Sequence, residues 1–533
     1  MKPGGNDMYE LKLALKRNLI RLLPVIVSVV LQIACGAIVL KMLEKQAVFV
    51  EIVLRILSVF VCLRICWKSG NTGKQISWIF LILTLPVLGL SMYVLLGKLG
   101  LGPAKKKRFR NCEEKRRACL SRQQGVWKQM EDHRILQQME YIENWGGCPV
   151  WENTESRFFK DSSDAVRVQI EALKAAEHFI FLEYYSLEDK QGFAEIREIL
   201  YEKRKQGVEV RVMYDAMGSI PYVNRKFAAE LIRNGISCRI FNPLTPWANG
   251  FVHHRDHRKI MVIDGLWAFT GGYNLTEEYF HFTEPYGFWK DTGLGIFGEG
   301  ARSFTAMFLE MWNAVRETDA DWDAYLNVKR PEHSVGFSQS GGGASGCADH
   351  TEDCREFVQP YGDSPLDEEP LGENVYLNML KGAEDFVYLM TPYLIPGAEM
   401  ERELVLAARR GVDVRIVTPG IPDKKLIFQV TRSFYGKLLD AGVRIFEYTP
   451  GFCHGKQWIC DGKTAVVGSI NLDCRSFYLH FEDAVFLYGS PAIEDIEKDF
   501  AEIFPVCKEV RTQKTPFPMQ VWQSFLRLFG PLM

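Results

Sequence analysis

The sequence predicts an α/β protein of two similar lobes, preceded by apolar N-terminal helices. Three observations support this class. A strand and helix unit is repeated at residues 178–274 and 385–471, and long uncharged runs stand near the start of the chain. Within each copy, strands alternate with helices of about ten to fifteen residues, which is typical of a parallel sheet with helices on both faces.

Length and composition set the domain plan. A chain of 533 residues is long enough for about three units of roughly 150 residues. The net charge of -2 does not indicate a nucleic-acid partner. We expect, in order, a membrane anchor (1–97), a basic juxtamembrane segment (98–150), a first lobe (151–330), a linker rich in Ser and Gly (331–362), and a second lobe with a C-terminal interfacial helix (363–533).

The N-terminal segment contains two uncharged runs. Leu22–Leu40 has 19 residues without a charge, which matches the ~20 residues that a helix needs to cross the hydrocarbon core. Ile76–Gly97 is also uncharged and carries Trp78 and Tyr93 toward its ends, where interfacial aromatic residues occur. Val48–Trp67 is apolar but contains three charges, so it either spans the membrane or lies in the interface. We therefore expect two or three transmembrane helices.

Flanking charges predict the orientation of these spans. Residues 98–122 contain ten Lys or Arg against two Glu, an excess that is typical of cytoplasmic flanks. We therefore expect a multi-pass protein of the plasma membrane with cytoplasmic lobes. Four cations from Lys12 to Arg21 also favour a cytoplasmic N terminus, so charge favours two spans whereas hydropathy allows three. The basic segment suits either a solvated helix or a surface that binds anionic headgroups.

Each repeated unit ends in the same motif, His-x-Lys-x4-Asp followed by Gly and Asn. The first copy reads HRKIMVIDGLWAFTGGYN and the second reads HGKQWICDGKTAVVGSIN. The matched residues are His257, Lys259, Asp264 and Asn274 in the first copy and His454, Lys456, Asp461 and Asn471 in the second. A single strand histidine is more often a core residue than a catalyst, but duplication at identical spacing reverses that expectation.

These residue types suit phosphodiester chemistry. Residues i and i+2 of a strand project to the same face, so each His and its Lys would enter one cleft. Imidazole can attack phosphorus or carry a proton, and an ammonium group can bind phosphoryl oxygens, with no metal or cofactor. Asn274 and Asn471 can add neutral donors. Asp264 and Asp461 follow an apolar strand, so each either orients a histidine or fixes the next turn.

Four other histidines carry less information. His253 and His254 have no counterpart in the second copy, so we interpret them as structural residues. The roles of His281 and His480 stay open, since nothing in their spacing distinguishes a site residue from a core residue.

The chain resembles the bacterial cardiolipin synthases of the phospholipase D superfamily. The duplicated motif is the signature of the superfamily, and RDHRKIMVIDG, GGYNLTEEY, TPYLIP, YTPGFCHGK and GSINLDCRSFYLHFE are similar to the synthases. The resemblance extends over nearly the whole chain. It implies two phospholipase D-like lobes whose motifs face each other across a pseudo-twofold cleft. The chain departs from the usual pattern at Phe288, where the family has His, and around SLEDKQGF.

The resemblance also implies partners and roles. Asp291 in WKD and Glu482 in HFE would contact the histidines. One phosphatidylglycerol would donate a phosphatidyl group to another through a phosphohistidine, giving cardiolipin and glycerol. His257 would be the nucleophile and His454 the acid and base, although these roles can be exchanged. Nucleic acid is not an expected partner, and the sequence specifies no oligomeric state.

Two other functions use the same residues. A lipase or nuclease of this fold would admit water as the acceptor, and its product would be phosphatidic acid or cut DNA. The apolar spans and the lack of a basic, aromatic-rich groove argue against a nuclease. A non-catalytic lipid-binding or scaffold protein would be indicated by the loss of a motif His or Lys, and all four are present.

Overall fold

The computed structural model describes most of the chain. The described residues are 27, 30–35, 44–67, 72–94, 102–120, 130, 132–224, 226–243, 253–328, 336–337, 356–367, 369–511 and 516–530. They form two compact units. The larger unit comprises Pro103–Pro243 and His254–Gln523, and the smaller unit comprises the described residues outside these two ranges.

Three helices form the N-terminal part of the smaller unit. They are α1 (Glu44–Trp67), α2 (Thr72–Thr84) and α3 (Pro86–Met92). Pro86 disfavours helical dihedrals at the residue before it, and Leu85 accordingly has φ -130° and ψ 77°. α3 then packs closely on α2, since a Cβ atom on Gly89 would lie 2.5 Å from Cα of Ile82.

In the part of the chain that the structure describes, no helix combines the length and the apolar character needed to cross a membrane. Most of the expected span Leu22–Leu40 lies outside the described residues, which include only 27 and 30–35 of it. The expected span Ile76–Gly97 is not one helix, because the break at Leu85 divides it between α2 and α3. Val48–Trp67 forms most of α1.

The basic segment is partly packed into the larger unit. It forms α4 (Pro103–Cys119), and α5 (His133–Gly146) follows. Arg116 of α4 is buried, its Nε lies 2.5 Å from Oε2 of Glu310, and it donates to the carbonyl oxygen of Gly146. This part of the segment is therefore integrated with the first lobe instead of forming a fully solvated face.

The first lobe contains a seven-stranded sheet. The strands up to residue 298 are β1 (Thr154–Phe159), β2 (Phe179–Tyr184), β3 (Glu209–Asp215), β4 (Ser237–Phe241), β5 (Arg255–Asp256), β6 (Lys259–Ile263), β7 (Trp267–Gly271), β8 (Phe288–Lys290) and β9 (Gly293–Gly298). The spatial order is β1-β9-β7-β6-β2-β3-β4, and β5 and β8 lie outside this sheet.

Helices cover both faces of this sheet. They are α6 (Ser162–Ala175), α7 (Gln191–Lys205), α8 (Ala216–Ser219), α9 (Phe227–Arg233), α10 (Ala301–Val315) and α11 (Asp323–Leu326), with a 3-10 turn at Glu277–Phe280. Phe181 of β2 stacks on Phe308 of α10 with ring centroids 4.5 Å apart. Its neighbours Ile180 and Leu182 belong to the core cluster that includes Leu173 of α6. Successive side chains of β2 thus enter opposite layers.

The second lobe repeats this plan. Its strands are β10 (Phe357–Asp363), β11 (Phe386–Met390), β12 (Asp413–Pro419), β13 (Arg444–Tyr448), β14 (Gly451–Cys453), β15 (Gln457–Cys460), β16 (Thr464–Gly468), β17 (His480–Tyr488) and β18 (Cys507–Val510). Its helices are α12 (Leu371–Gly382), α13 (Ala398–Arg409), α14 (Lys425–Asp440), α15 (Cys474–Tyr478), α16 (Pro491–Ile503) and α17 (Phe517–Phe529), with a 3-10 turn at Phe504–Val506. The order is β10-β17-β16-β15-β11-β12-β13-β18. β10 begins at Phe357, inside the segment 331–362 that we expected to be a linker.

The prediction of parallel sheets is wrong for part of each lobe. β2, β3 and β4 run parallel, as do β11, β12 and β13, but β6 and β7 form an antiparallel hairpin, and so do β15 and β16. Asp264 and Gly265 have φ of 54° and 65°, and Asp461 and Gly462 have φ of 53° and 64°. Two consecutive positive φ angles, with Asp-Gly in these positions, form the tight turn that joins antiparallel strands.

Candidate active site

His257 reaches the site because its strand pairs with the opposite lobe. β5 runs parallel to the start of β17, with Arg255 opposite His480 and Asp256 opposite Phe481. The N–H of His257 then donates to the carbonyl oxygen of Phe481 at 2.9 Å. This register sets His257 beside the next residue of the second lobe, Glu482.

His454 is held by the reciprocal arrangement. β14 runs parallel to β8 of the first lobe, with Phe452 opposite Trp289 and Cys453 opposite Lys290. The N–H of His454 donates to the carbonyl oxygen of Lys290 at 2.6 Å. Each motif histidine therefore stands beside an acidic residue that belongs to the other lobe.

A buried carboxylate anchors the first of these strands. Asp215, at the end of β3, accepts from the N–H of Asp256 at 3.1 Å and lies 3.2 Å from Nη1 of Arg255. It also accepts from the N–H of Met217 at 2.7 Å, which caps the short helix that follows β3. A two-residue strand is thus fixed on both sides by the first lobe and by β17.

The first half-site consists of His257, Lys259 and Glu482. Nδ1 of His257 lies 2.8 Å from Oε2 of Glu482 and 3.0 Å from Oε1. The Oγ of Ser469 donates to the same carboxylate at 2.5 Å, and the ring of Tyr185 meets the His257 ring edge-on at 5.0 Å. All three half-site residues are buried. Because Nδ1 faces a carboxylate, it carries the ring hydrogen and leaves the lone pair on Nε2.

The second half-site consists of His454, Lys456 and Asp291. Nδ1 of His454 lies 2.7 Å from Oδ2 of Asp291, whose Oδ1 accepts from the N–H of Thr292 at 2.8 Å. Three aromatic rings surround this imidazole at centroid distances of 5.4 to 5.7 Å: Tyr279, Trp289 and Phe452. The plan of the first half-site is repeated in a more apolar environment.

Burial dominates the electrostatics of both half-sites. It holds the pKa of His257 and that of His454 well below the usual value of a histidine, and the nearby lysines act in the same direction. Burial also lowers the pKa of Lys456 to about 7 and that of Lys259 to about 8. The pKa of Asp291 is raised to about 6 by burial, against the effect of Lys456. Both imidazoles are therefore neutral at pH 7, as nucleophiles and bases must be.

The two lysines do not make the same contacts. Each ammonium group donates to the carbonyl oxygen of its own histidine. Nζ of Lys456 also lies 2.8 Å from Nδ1 and 3.1 Å from Nε2 of His454. Both lysines are buried, and each lies close enough to the other half-site to lower the pKa of the histidine there. The expectation that each histidine belongs to the strand of its lysine is wrong, because β6 begins at Lys259 and β15 begins after Lys456.

Asp264 and Asp461 fix backbone instead of contacting the histidines. The carboxylate of Asp264 accepts from the N–H groups of residues 177, 178 and 179 at 2.7 to 2.8 Å, at the start of β2. Asp461 accepts from the N–H groups of residues 384, 385 and 386 at 2.8 to 2.9 Å, at the start of β11. Neither alternative open for the motif aspartates describes these contacts, because each carboxylate holds the start of the neighbouring strand instead of a histidine or the turn that follows the aspartate.

The two asparagines also differ. Oδ1 of Asn274 accepts from the N–H of Ser186 at 3.1 Å, and its Nδ2 donates to the hydroxyl of Tyr279 at 3.0 Å. Asn471 is buried, and no hydrogen-bond partner for its Oδ1 is found among the described residues. Asn274 therefore supports the ring that packs on His454, whereas Asn471 keeps an amide whose oxygen is not engaged within the described chain.

Sequence reasoning assigned no role to two polar residues beside the motifs, Asp483 and His480. Asp483 accepts from the N–H of Lys259 at 3.0 Å and from the hydroxyl of Thr270, and burial raises its pKa to about 6. His480 is buried with its ring centroid 5.3 Å from that of His257, and burial lowers its pKa to about 3. The available signal was their position, because both flank the acidic residue Glu482 within two positions.

Two other histidines face partners outside this cleft. Nδ1 of His254 lies 3.0 Å from the carbonyl oxygen of Leu479. Nε2 of His281 lies 2.9 Å from Oδ2 of Asp161, and its ring stacks on Phe288 at 4.4 Å. These contacts position loops of the first lobe.

Comparison with known proteins agrees with this geometry. A sequence model described as cardiolipin synthase, PLD-like domain matches residues 169–312 and 376–504, and a model described as phospholipase D-nuclease N-terminal matches residues 53–98. A Streptococcus mutans protein whose name states no function is 39% identical over 469 residues, which cover 87% of this chain and 97% of that protein. A cardiolipin synthase of a Geobacillus species is 31% identical over 490 residues, 89% of this chain and 92% of its own length.

One solved structure shares the two-lobed fold. Phosphatidylserine synthase from Haemophilus influenzae superposes with a TM-score of 0.53 at 15% identity, covering 74% of this chain and 100% of that one. The fold, the two histidine and carboxylate pairs and the matched relatives define a phospholipid phosphatidyltransferase with the PLD-like fold. The model of the PLD-like domain matches one segment in each lobe, together about half of the chain. The chain belongs to the cardiolipin synthase family.

Proposed function

We propose that this protein transfers a phosphatidyl group from one phosphatidylglycerol to a second, forming cardiolipin and releasing glycerol. The observation that carries the proposal is the reciprocal pairing, in which each motif histidine is oriented by a carboxylate of the opposite lobe. Two oriented imidazoles allow one to attack phosphorus while the other moves the proton of the alcohol. The name of the Geobacillus relative, cardiolipin synthase, supports cardiolipin as the product.

In the first step, Nε2 of His257 forms a bond to phosphorus, and the bond from phosphorus to the glycerol oxygen breaks. The departing oxygen takes a proton from Nε2 of His454. His454 becomes protonated when the anionic phosphodiester binds, because a negative charge beside an imidazole raises the pKa of the imidazole. Glycerol leaves, and a phosphatidyl group remains on His257.

In the second step, His454 takes the proton from a hydroxyl group of a second phosphatidylglycerol. As this proton leaves, the hydroxyl oxygen forms the new bond to phosphorus, and the bond from phosphorus to Nε2 of His257 breaks. Lys259 and Lys456 bind the nonbridging oxygens in both steps and stabilise the charge that develops there. Asn471 supplies a neutral donor to the same oxygens.

The contacts of the lysines support His257 as the nucleophile. Nζ of Lys456 lies within 3.1 Å of both ring nitrogens of His454, where an ammonium group competes for the nitrogen lone pair. Among the described residues, the Lys259 ammonium group donates to the backbone oxygen of His257 and lies over the ring of Tyr185, and no hydrogen bond from it to the His257 ring is found. The His257 lone pair is therefore better exposed for attack on phosphorus.

We also propose that the N-terminal segment attaches the protein to the plasma membrane, with the two lobes in the cytoplasm. Support comes from apolar side chains exposed along α1, among them Phe49, Ile56 and Phe60, each more than 60% exposed. α17 adds a second apolar face, on which Phe517 and Val521 are exposed. Such helices bury apolar area in a lipid interface. Protease protection in right-side-out and inverted vesicles tests the cytoplasmic location.

The central experiment is a product and trapping assay. Purified protein is given phosphatidylglycerol labelled at phosphorus, quenched in alkaline detergent because the bond from phosphorus to histidine nitrogen is labile in acid, and examined for label on protein and for cardiolipin and glycerol. We expect both products and a labelled chain that requires His257. Label on the His257→Ala protein but not on the His454→Ala protein would reverse the roles. Phosphatidic acid as the main product would instead support the lipase alternative, and addition of phosphatidylethanolamine tests the acceptor.

A further inference from the structure

The imidazole of His480 is an unused group inside the first half-site. It is buried, and neither of its ring nitrogens makes a hydrogen bond to the described residues. Its Nδ1 lies 3.5 Å from Oε1 of Glu482, which is longer than a normal hydrogen bond. A ring nitrogen of His257, a ring nitrogen of His480 and a carboxylate oxygen of Glu482 all lie within 4.8 Å of one another.

This donor set is the one that divalent zinc prefers. Two imidazole nitrogens and one carboxylate oxygen bind zinc at about 2.0–2.2 Å, which leaves one of four positions open. Ligand atoms around tetrahedral zinc lie about 3.4 Å apart, so the most widely separated pair of these three, which lies within 4.8 Å, must close by at most about 1.4 Å. Glu482 supplies a negative charge, and Asp483 and Asp291 offset the cationic Lys259 nearby.

We propose that His257, His480 and Glu482 form a zinc site that inhibits the enzyme. Zinc held there occupies a lone pair of His257 and engages the carboxylate that orients it. The inhibitory part rests on the proposed role of His257 as the nucleophile, whereas the binding part does not. A rise in free zinc would then stop phosphatidyl transfer without any change in fold.

The second half-site is the internal comparison. Trp289 stands two residues before Asp291 and opposite Phe452, just as His480 stands two residues before Glu482 and opposite Arg255. An indole has no lone pair for a metal, so the same register around His454 lacks a second nitrogen ligand. The proposal therefore predicts one zinc per chain.

Zinc binding by untagged, full-length protein in detergent tests the site. The protein is stripped with a chelator, and its zinc affinity is measured by competition with a coloured chelator in the absence of lipid. We expect one site, weakened at least about tenfold in His480→Asn, because even residues that only orient a metal ligand have effects of that size. His281→Asn is the matched control, since His281 pairs with Asp161 outside the cleft and should leave zinc affinity unchanged.

Inhibition is measured on the same proteins. The zinc concentration that halves cardiolipin formation should rise in His480→Asn by the same factor as the dissociation constant. Equal zinc affinity of the wild type, His480→Asn and His480→Gln would overturn the site. If His480→Asn binds zinc more weakly than the wild type but is inhibited at the same zinc concentration, the inhibitory role is overturned. If the wild type forms no cardiolipin, the proposed function fails, but the binding measurement still decides the zinc site.

Discussion

The first half-site is polar, whereas aromatic rings surround the second. Around His257 the nearest groups include the hydroxyl of Ser469 on Glu482 and the imidazole of His480. Around His454, beyond Asp291 and the ammonium group of Lys456, they are the rings of Tyr279, Trp289 and Phe452. The backbone plan is the same in both, since a parallel strand contact between the lobes sets the register each time. The two lobes therefore share the strand contact that sets each histidine beside its carboxylate, and they differ in the side chains around the imidazole.

This difference suits a division of labour. In the proposed mechanism, a covalent intermediate on His257 needs polar neighbours that tolerate a charged phosphodiester. A proton carrier at His454 benefits from apolar walls, because they exclude water and keep its pKa sensitive to the charge of the substrate. Four measurements test or refine this comparison.

The largest effect is expected for the histidines themselves. His257→Asn and His454→Asn should each lower kcat by about 10⁴-fold or more, since groups that act together lose nearly the whole rate when one is removed. Initial rates of cardiolipin formation measure this. A chain that retains a tenth of its activity without either imidazole would contradict the shared site.

The orienting acids should come next. Asp291→Asn and Glu482→Gln should each lower kcat by about 10²- to 10⁴-fold, because the amide no longer selects the tautomer with hydrogen on Nδ1. We expect the larger loss for Asp291→Asn, since Glu482 has Ser469 as a second support, whereas the second support of Asp291 among the described residues is the backbone N–H of Thr292. Equal losses, or none, would show that the half-sites do not differ in this way.

The pH profile should separate the two lysines. The pKa of Lys456 is lowered to about 7 and that of Lys259 to about 8, so each ammonium group loses its charge as the pH rises through its own value. kcat/KM should therefore fall on the alkaline side from about pH 7. In Lys456→Arg, which stays charged, the fall should begin about one pH unit higher. If kcat/KM of Lys456→Arg falls at the same pH as that of the wild type, the loss of charge on Lys456 is not the cause of the fall.

The smallest effect on activity is expected for the motif aspartates. Asp264→Ala leaves three N–H groups without their acceptor, so the free energy of unfolding should fall by about 1–3 kcal/mol. Asp461→Ala should cost less, because two of its three amide partners are exposed to water. Urea unfolding measures both, and kcat of the folded fraction should change less than about threefold. A loss of kcat comparable with that of Asp291→Asn would return these residues to the catalytic set.

The sequence predicted the parts of the fold that repeat. Identical spacing around His257 and His454 located both half-sites, and resemblance supplied Asp291 and Glu482. The antiparallel hairpins contradict the prediction although Asp264–Gly265 carries the signal of a tight turn, because the alternation of strands with helices predicts parallel strands throughout. β5 and β14 have two and three residues, which is too short for a periodic pattern. The role of His480 could not be predicted, since its neighbour in space is 223 positions earlier in the chain.

The pairing of strands between the lobes also affects the order in which the half-sites form during synthesis of the chain. The carboxylate for His257 comes from 225 positions later in the chain, and the one for His454 comes from 163 positions earlier. During synthesis the first lobe emerges with its imidazole still lacking its acidic partner. The carboxylate beside His257 is therefore in place only after β17 has been synthesised and has paired with β5, so a chain that ends before β17 cannot complete the first half-site.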